Sequence, residues 1–236
     1  MRLLLFDVDG TLIHSNRAGR AALVYALEEI FGTAGPADSY QMAGKTDPLI
    51  ITELLQAAGI PPAEVEPKLE RVYELMARRG QTLFWERGIK PCAGVPALLD
   101  ALQRRDDVLL GLVTGNARVT APLKLAAAGL DPSQFRVGAF GSDDRDRNRL
   151  PALAMRRAAQ LSGRSVNGAD TVVVGDTPAD VLSARAGGAR AVAVATGGHS
   201  AATLAQTNPD HLLENLADTE TVLQILLNDR EDGSDG

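Results

Sequence analysis

The chain has 236 residues, of which 45% are hydrophobic and 23% charged, and its formal net charge is −6. These values are typical of a globular protein with one large domain, or with a domain and a smaller insertion, and the acidic balance argues against nucleic acid as a partner because phosphate backbones select basic surfaces. No apolar run approaches the roughly 20 residues of a membrane span, no signal-type segment opens the chain, and Cys92, the single cysteine, rules out an intrachain disulfide and favours a cytoplasmic location.

The first predicted element is a buried β-strand that runs straight into two carboxylates. The unbroken apolar run at residues 3–6 is typical of a strand covered on both faces in a parallel sheet, and Asp7 and Asp9 follow it. Ligands bind at the carboxyl ends of such strands. A plain turn is the alternative interpretation of this motif. A calcium-binding loop is excluded, because Leu12 and Ala18 stand where its glycine and its closing glutamate would be.

The next block of the chain, up to Gly88, shows helical periodicity and no convincing strand. The predicted elements are three helices and one short segment, at residues 17–31, 49–58, about 63–78 and 81–86. Thr46 or Asp47 is the candidate N-cap of the second helix, with Pro48 at its first helical position. The block is therefore predicted to be a small helical bundle inserted after the first strand.

Strands and helices alternate over the rest of the chain. Strands are predicted at residues 108–113, 135–140, 171–174 and 191–195. A turn and an amphipathic helix are predicted at residues 91–105, further helices at 119–128, 150–161, 178–186 and 219–227, and a disordered acidic tail at 230–236. This alternation predicts an α/β fold with a parallel sheet whose strand ends meet at one edge. The side chains expected at that edge are those of Asp7, Asp9, Thr114, Asp176 and Asp180.

Three motifs at these strand ends together resemble the haloacid dehalogenase-like hydrolases. They are Asp7-Val8-Asp9-Gly10-Thr11, Thr114-Gly115-Asn116 and Gly175-Asp176-Thr177-Pro178-Ala179-Asp180. The resemblance covers nearly the whole chain, and the chain is most similar to the phosphoglycolate phosphatase-like group. It implies a Rossmann-like parallel sheet core at residues 1–14 and 89–229, with an inserted helical cap at residues 15–88.

The resemblance also implies a chemistry, that of a Mg²⁺-dependent phosphatase which hydrolyses a small phosphorylated metabolite. Asp7 would attack phosphorus and form an aspartyl-phosphate. Asp9 would be the general acid for the leaving alcohol and then the base for the hydrolytic water. The implied ligands of Mg²⁺ are the carboxylates of Asp7 and Asp176 and the backbone carbonyl of Asp9, since this ion prefers oxygen ligands.

The same resemblance assigns the phosphate-binding residues. The Thr114 hydroxyl would hold a phosphoryl oxygen, and the amides of Gly115 and Asn116, before a helix, would form an anion site. A strand-to-helix turn with an N-cap is the alternative for this motif. Asp180 would orient the metal's water ligands, although a carboxylate in the first turn of a helix also stabilises the helix dipole.

The chain departs from the family pattern at the lysine that usually precedes the helix leading to the fourth strand. Three arginines, Arg145, Arg147 and Arg149, occupy this region instead. Placing the basic residue three positions before the apolar Leu150 selects Arg147, and the other two remain open. Arginine binds phosphate bidentately but is not equivalent to lysine, and a solvated charge run is the alternative for the group.

Lys45 is the candidate for substrate specificity, because the resemblance places its stretch of the cap over the active site. A plain helix N-terminus is the alternative. The expected partner is a small phosphorylated metabolite, without nucleic acid or membrane, and the chain is expected to be a monomer or a homodimer.

Three rival functions remain at this stage. A phosphomutase of the same superfamily would return the phosphoryl group to a sugar. A dehalogenase is disfavoured, because that activity needs neither Asp9 nor Mg²⁺. A non-catalytic phosphate-binding module is supported only by the absence of the usual lysine.

Overall fold

A six-stranded parallel sheet lies at the centre of the computed structural model, which describes residues 1–228. The predicted tail at residues 230–236 lies outside the described residues. The strands are β1 (Arg2–Phe6), β2 (Ile13–His14), β3 (Lys90–Pro91), β4 (Val108–Thr114), β5 (Val137–Phe140), β6 (Thr171–Gly175), β7 (Arg190–Val194) and β8 (His211–Leu213). The order in the large sheet is β5-β4-β1-β6-β7-β8. The predicted α/β fold with a Rossmann-like parallel sheet is confirmed.

Strand β1 is central and buried on both faces, as its unbroken apolar sequence predicts. Leu4 and Phe6 pack into one hydrophobic core, while Leu3 and Leu5 pack into a second core on the other face. Residue Phe6 pairs with β4 on one side and with β6 on the other. The polar residues that follow β1, β4 and β6 are consequently brought to the same edge of the sheet.

The helices surround this sheet and extend beyond it. They are α1 (Ala18–Phe31), α2 (Asp47–Ala57), α3 (Pro62–Val65), α4 (Leu69–Glu86), α5 (Val95–Gln103), α6 (Ala121–Ala127), α7 (Leu150–Ser162), α8 (Pro178–Ala186), α9 (Ala201–Ala205) and α10 (Thr219–Leu227). Residues 18–86, which hold α1–α4, are called the helical segment below. No helix within residues 1–228 is both long and apolar enough to cross a membrane.

Two predicted boundaries in the helical segment are wrong. The helix predicted at 63–78 is divided into α3, a short 3₁₀ turn at Glu66–Lys68 and α4, because Pro67 lacks the N–H that a continuous helix needs. The separate segment predicted at 81–86 is the end of α4. Gly80 is accommodated within that helix, where the Phe84 ring packs over it and leaves no room for a side chain.

Two further differences concern short elements. Strand β8 and helix α9 were not predicted, because polar residues interrupt the apolar periodicity at both places. The antiparallel pair of β2 and β3 was also missed, since each strand has two residues. This pair lies where the chain enters and leaves the helical segment. The side-chain amide of Asn16 donates to the carbonyls of Arg87 and Gly88, and so links the chain that enters the helical segment to the chain that leaves it.

Candidate active site

Three buried carboxylates from two strand ends form the centre of the site. Asp7 directly follows β1, and Asp176 and Asp180 follow β6. One ligand oxygen from each of the three carboxylates lies within 4.8 Å of the others. The Thr11 hydroxyl donates to Asp176 Oδ1 at 3.0 Å, and the backbone amide of Asp7 donates to the Val174 carbonyl. The sheet register therefore gathers residues that lie about 170 positions apart in the sequence.

The protonation properties of the cluster reflect an excess of negative charge. Burial raises the pKa of Asp7 to about 6, against the opposing charge of Arg147. Burial, together with the charges of Asp180 and Asp7, raises the pKa of Asp176 to about 8. Arg147 is the only cation that forms an ion pair with this cluster among the described residues. One guanidinium does not balance the negative charge of three carboxylates. The cluster therefore suits a divalent cation, which would bind to the carboxylate oxygens.

Arg147 reaches the cluster from the loop before α7. Its Nη2 lies 2.5 Å from Asp180 Oδ1 and 3.2 Å from Asp7 Oδ1, and all three side chains are buried. Its Nε is buried without a hydrogen-bond partner among the described residues. Arg149, by contrast, is largely exposed and pairs with Asp144. The structure thus brings Arg147, the arginine three positions before Leu150, beside Asp7.

Asp180 is held in place by its own helix. The backbone amide and the hydroxyl of Thr177 donate to Asp180 Oδ2, and the Asp180 amide donates back to the Thr177 hydroxyl, which forms a capping box at the start of α8. Its other carboxylate oxygen accepts from Arg147. Both oxygens of Asp180 are therefore engaged, whereas Asp176 and Asp7 are the less occupied carboxylates of the cluster.

The loop after β4 brings a hydroxyl and a carboxamide to the same edge. The Asn116 side chain donates to the Thr114 hydroxyl at 2.8 Å, and this hydroxyl is also a hydrogen-bonding neighbour of Asp7. Gly115 lies so close to the Lys45 carbonyl and to Arg147 that a Cβ would collide with the former. The glycine of this motif is therefore required by the close approach of the helical segment.

Asp9 is held by two donors at one of its oxygens. Lys124 Nζ and Asn116 Nδ2 each lie 2.7 Å from Asp9 Oδ2, and Lys124 Nζ also donates to Asn116 Oδ1 at 2.5 Å. Burial alone would raise the pKa of Asp9, but the Lys124 charge and the hydrogen bonds from Lys124 and Asn116 lower it below its ordinary value. Lys124, on α6, was not predicted as a site residue. Its only sequence signal is a single charge within the apolar run of that helix.

The start of α2 fastens the helical segment to this loop. The Asp47 amide donates to the Gly115 carbonyl, and the Ala117 amide donates to Asp47 Oδ2, both at 2.7 Å. The Thr46 hydroxyl donates to the Arg145 carbonyl. Thr46 is the N-cap residue, yet its side chain makes no capping hydrogen bond, because it is engaged with that carbonyl. The polar cluster at this helix start therefore serves a contact across the cleft.

A cavity of about 410 Å³ lies between the helical segment and the sheet edge. Asp7, Asp9, Thr114, Arg147 and Asp176 line its lower side, and Leu23, Met42, Ile50 and Met76 line its upper side. Lys45 also lines the cavity, but its ammonium donates to Tyr40 and to Glu53. The predicted site residues thus come together around one cavity, while the charge of Lys45 is already balanced within the helical segment.

A family model for haloacid dehalogenase-like hydrolases matches residues 1–188. The chain therefore belongs to the haloacid dehalogenase-like hydrolase family. A phosphoglycolate phosphatase from Synechococcus elongatus is 29% identical over 234 residues, which is 96% of this chain and 99% of the relative. The pyrophosphatase PpaX from Oceanobacillus iheyensis is 25% identical over 229 residues, 94% of this chain and 97% of the relative. The predicted family, that of the haloacid dehalogenase-like hydrolases, is confirmed.

Solved structures share the fold over nearly the whole chain. A hydrolase from Pseudomonas syringae superposes with a TM-score of 0.72 at 23% identity, covering 97% of this chain and 100% of that one. CbbY from Rhodobacter sphaeroides, in complex with phosphate, superposes with a TM-score of 0.70 at 20% identity, covering 92% and 96%. At these identities the comparison establishes the architecture alone.

Proposed function

We propose that the protein is a Mg²⁺-dependent phosphatase that hydrolyses a small phosphorylated metabolite through an aspartyl-phosphate on Asp7. The observation that carries this proposal is the position of the Asp7 carboxylate, which lines the cavity with Arg147 on one side and Asp176 on the other. A nucleophilic carboxylate needs to be ionised and needs cationic groups beside it that offset the charge of an incoming phosphate.

The carboxylates of Asp7 and Asp176 and the backbone carbonyl of Asp9 would hold the Mg²⁺. The raised pKa values of Asp7 and Asp176 support this assignment, because they indicate carboxylates that lack a full counter-charge. When bound, the ion keeps both groups ionised and offsets charge on the phosphoryl oxygens. Asp180, with both oxygens engaged, fits a role in holding Arg147 and orienting the metal's water ligands.

Two chemical steps follow from this arrangement. In the first, an Asp7 oxygen forms a bond to phosphorus, the bond from phosphorus to the leaving oxygen breaks, and that oxygen takes a proton from Asp9. In the second, the Asp9 carboxylate takes a proton from water, the water oxygen attacks phosphorus, and the bond to Asp7 breaks, which releases phosphate and restores both aspartates. Arg147, the Thr114 hydroxyl and the amides of Gly115 and Asn116 would hold the phosphoryl oxygens throughout.

The helical segment would act as a mobile cap over the cavity and exclude water in the first step. The contacts of Asp47 with the loop after β4 support this role, since they join the segment to the phosphate-binding residues. Lys45 stays our candidate for substrate specificity, with its ammonium released from Glu53 when a substrate anion enters. The small cavity and the single buried cysteine support a small metabolite as substrate and a cytoplasmic location.

The test is phosphate release from 4-nitrophenyl phosphate, measured with Mg²⁺ and with EDTA, for the wild type and for Asp7→Asn. We expect turnover that depends on metal and that falls by at least about 10³-fold in the variant, because the amide is not a nucleophile. Asp106→Asn, the same substitution at an exposed position, is the matched control. Full turnover in Asp7→Asn would overturn the nucleophile assignment. Conversion of a sugar phosphate to its isomer without free phosphate would instead indicate a phosphomutase.

A further inference from the structure

Lys124 is a buried charged residue that the proposed chemistry does not yet use. Its side chain is 6% exposed, and it reaches from α6 to the Asp9 carboxylate. A lysine removed from water is costly to the fold unless it is paired and hydrogen-bonded. Both partners of its ammonium, Asp9 and Asn116, line the candidate active site. Its burial therefore serves the arrangement of the site rather than the apolar core.

The two oxygens of Asp9 are in different situations. Oδ2 accepts from Lys124 and from Asn116, whereas Oδ1 is buried and bonded to neither of them, and the Ser15 side chain is a further hydrogen-bonding neighbour of this carboxyl group. A carboxyl oxygen that already accepts two hydrogen bonds is a poor place for a proton, because the proton would displace a donor. A proton carried by Asp9 therefore resides on Oδ1, where it displaces neither of these two donors.

The helical segment lies directly over the contact between Lys124 and Asp9. Gly19, in the first turn of α1, lies above the ammonium, and a Cβ at that position would lie 2.7 Å from Lys124 Nζ. A larger residue there would push Lys124 away from Asp9. Because residue 19 has no side chain, the Lys124 ammonium fits between α1 and Asp9.

We propose that Lys124 is a positioning residue that fixes Asp9 through its Oδ2, so that Oδ1 faces the leaving oxygen of the substrate. The proposal rests on the proposed function, in which Asp9 exchanges protons with the leaving group and with water. Lys124 itself lines the cavity, but its ammonium is engaged by Asp9 and Asn116, and it acts on the reaction through them. Its contribution is therefore greatest for substrates whose leaving oxygen needs a proton, since a well-placed general acid accelerates such reactions by about 10²–10⁴-fold.

The experiment compares phenyl phosphate with 4-nitrophenyl phosphate, which share a ring but differ in how strongly the leaving oxygen requires a proton. For Lys124→Met we expect kcat/KM to fall about 100-fold on phenyl phosphate and less than about 5-fold on 4-nitrophenyl phosphate, mainly through kcat. Lys68→Met, at a lysine that lies over the Phe31 ring, is the matched control and keeps wild-type values on both esters. An equal loss on both esters would overturn the proposal.

A double-mutant cycle separates positioning from direct contact with substrate. If Lys124 acts only through Asp9, then Asp9→Asn and the double variant with Lys124→Met have the same kcat/KM on phenyl phosphate within about 2-fold. Independent, multiplied losses would overturn the proposal. Lys124→Gln keeps a donor and is used in the same cycle should thermal melting show that Lys124→Met is unfolded. Failure of the wild type to hydrolyse either ester would count against the proposed function itself.

Discussion

The guanidinium of Arg147 lies 3.2 Å from the carboxylate of Asp7, and both side chains are buried. Asp180 contacts the same guanidinium nitrogen, Nη2, at 2.5 Å. Burial opposes the charge of Arg147, but Asp180 and Asp7 hold its pKa above the ordinary value. The guanidinium is therefore a fixed positive charge next to the proposed nucleophile.

Replacement of Arg147 tests this relationship. We expect Arg147→Met to lower kcat/KM on 4-nitrophenyl phosphate by about 10²–10³-fold, because it removes a buried counter-charge to phosphate. Arg147→Lys keeps the charge but not the planar guanidinium with its several donors, and a loss of about 10-fold is expected. Steady-state kinetics measures both. Arg149→Met, at an exposed arginine two positions away, is the control, and a loss there as large as at Arg147 would contradict the assignment.

The binding of Mg²⁺ is expected to raise the melting temperature more at pH 8.5 than at pH 6.5. The metal competes with protons on Asp176, whose pKa is about 8, and on Asp7, whose pKa is about 6. At about 100-fold excess over Kd and high pH, the rise is about 5 to 10 °C. Thermal melting with Mg²⁺ and with EDTA measures it. Asp176→Asn reduces the rise at both pH values, and a rise that is independent of pH would count against these ligands.

Ionisation of Asp47, which accepts a hydrogen bond from the Ala117 amide, makes the free energy of unfolding depend on pH. Burial raises the pKa of Asp47 to about 6, against the opposing charge of Lys124. Between about pH 4 and pH 6 the folded state holds this proton more tightly than the unfolded state, so the free energy of unfolding falls as pH rises through that window. Asp47→Asn cannot ionise and still offers an acceptor to Ala117.

We therefore expect the stability of Asp47→Asn relative to the wild type to increase between pH 4 and pH 7. The expected increase is about 2 to 3 kcal/mol, since one pKa unit corresponds to about 1.4 kcal/mol. Urea unfolding at the two pH values measures it, and Asp106→Asn gives the baseline for an exposed aspartate. A stability difference that does not change with pH would show that Asp47 ionises as readily in the fold as in water.

Gly115 tests the approach of the helical segment to the phosphate-binding loop. A methyl group at this position collides with the Lys45 carbonyl and lies 3.0 Å from Arg147 Nη1. We expect Gly115→Ala to lower kcat/KM about 10-fold or more and to cost about 1 to 3 kcal/mol of stability. Gly198→Ala, where the added methyl group meets open space, is the matched control. Wild-type kinetics in Gly115→Ala would mean that the segment does not rest on this loop during turnover.

The sheet and the ends of its strands could be predicted because their signal is local. An apolar run before Asp7, and others before Thr114 and Asp176, define strands that are buried on both faces, and parallel pairing brings their ends together. Arg147 was selected from the family resemblance, with Leu150 taken as the apolar residue of its pattern. The inferences about the strands use only neighbours in the sequence and one general rule about parallel sheets.

The residues that act across the cleft could not be predicted in the same way. Lys124 lies 115 residues from Asp9, and no neighbouring residue in the sequence indicates that the two side chains pair. Asp47 was interpreted as part of a helix start, but its side chain accepts from Ala117, 70 residues away. Lys45 carries the positive charge expected of an anion-binding residue, and only the fold reveals that Glu53 already balances this charge. Such pairings depend on how the helical segment rests on the sheet edge.

The pairing of β2 with β3, reinforced by Asn16, places the two ends of the helical segment side by side. A segment whose ends meet in this way is equivalent to a long loop between β2 and β3. If it were removed, a short turn could join these two strands. The entropy of closing such a loop grows only slowly with its length, so helices added to it or lost from it scarcely disturb the sheet. The junction at these two strands is thus the natural position at which to exchange this segment for that of a relative, an exchange that would test whether the segment sets the proposed substrate preference.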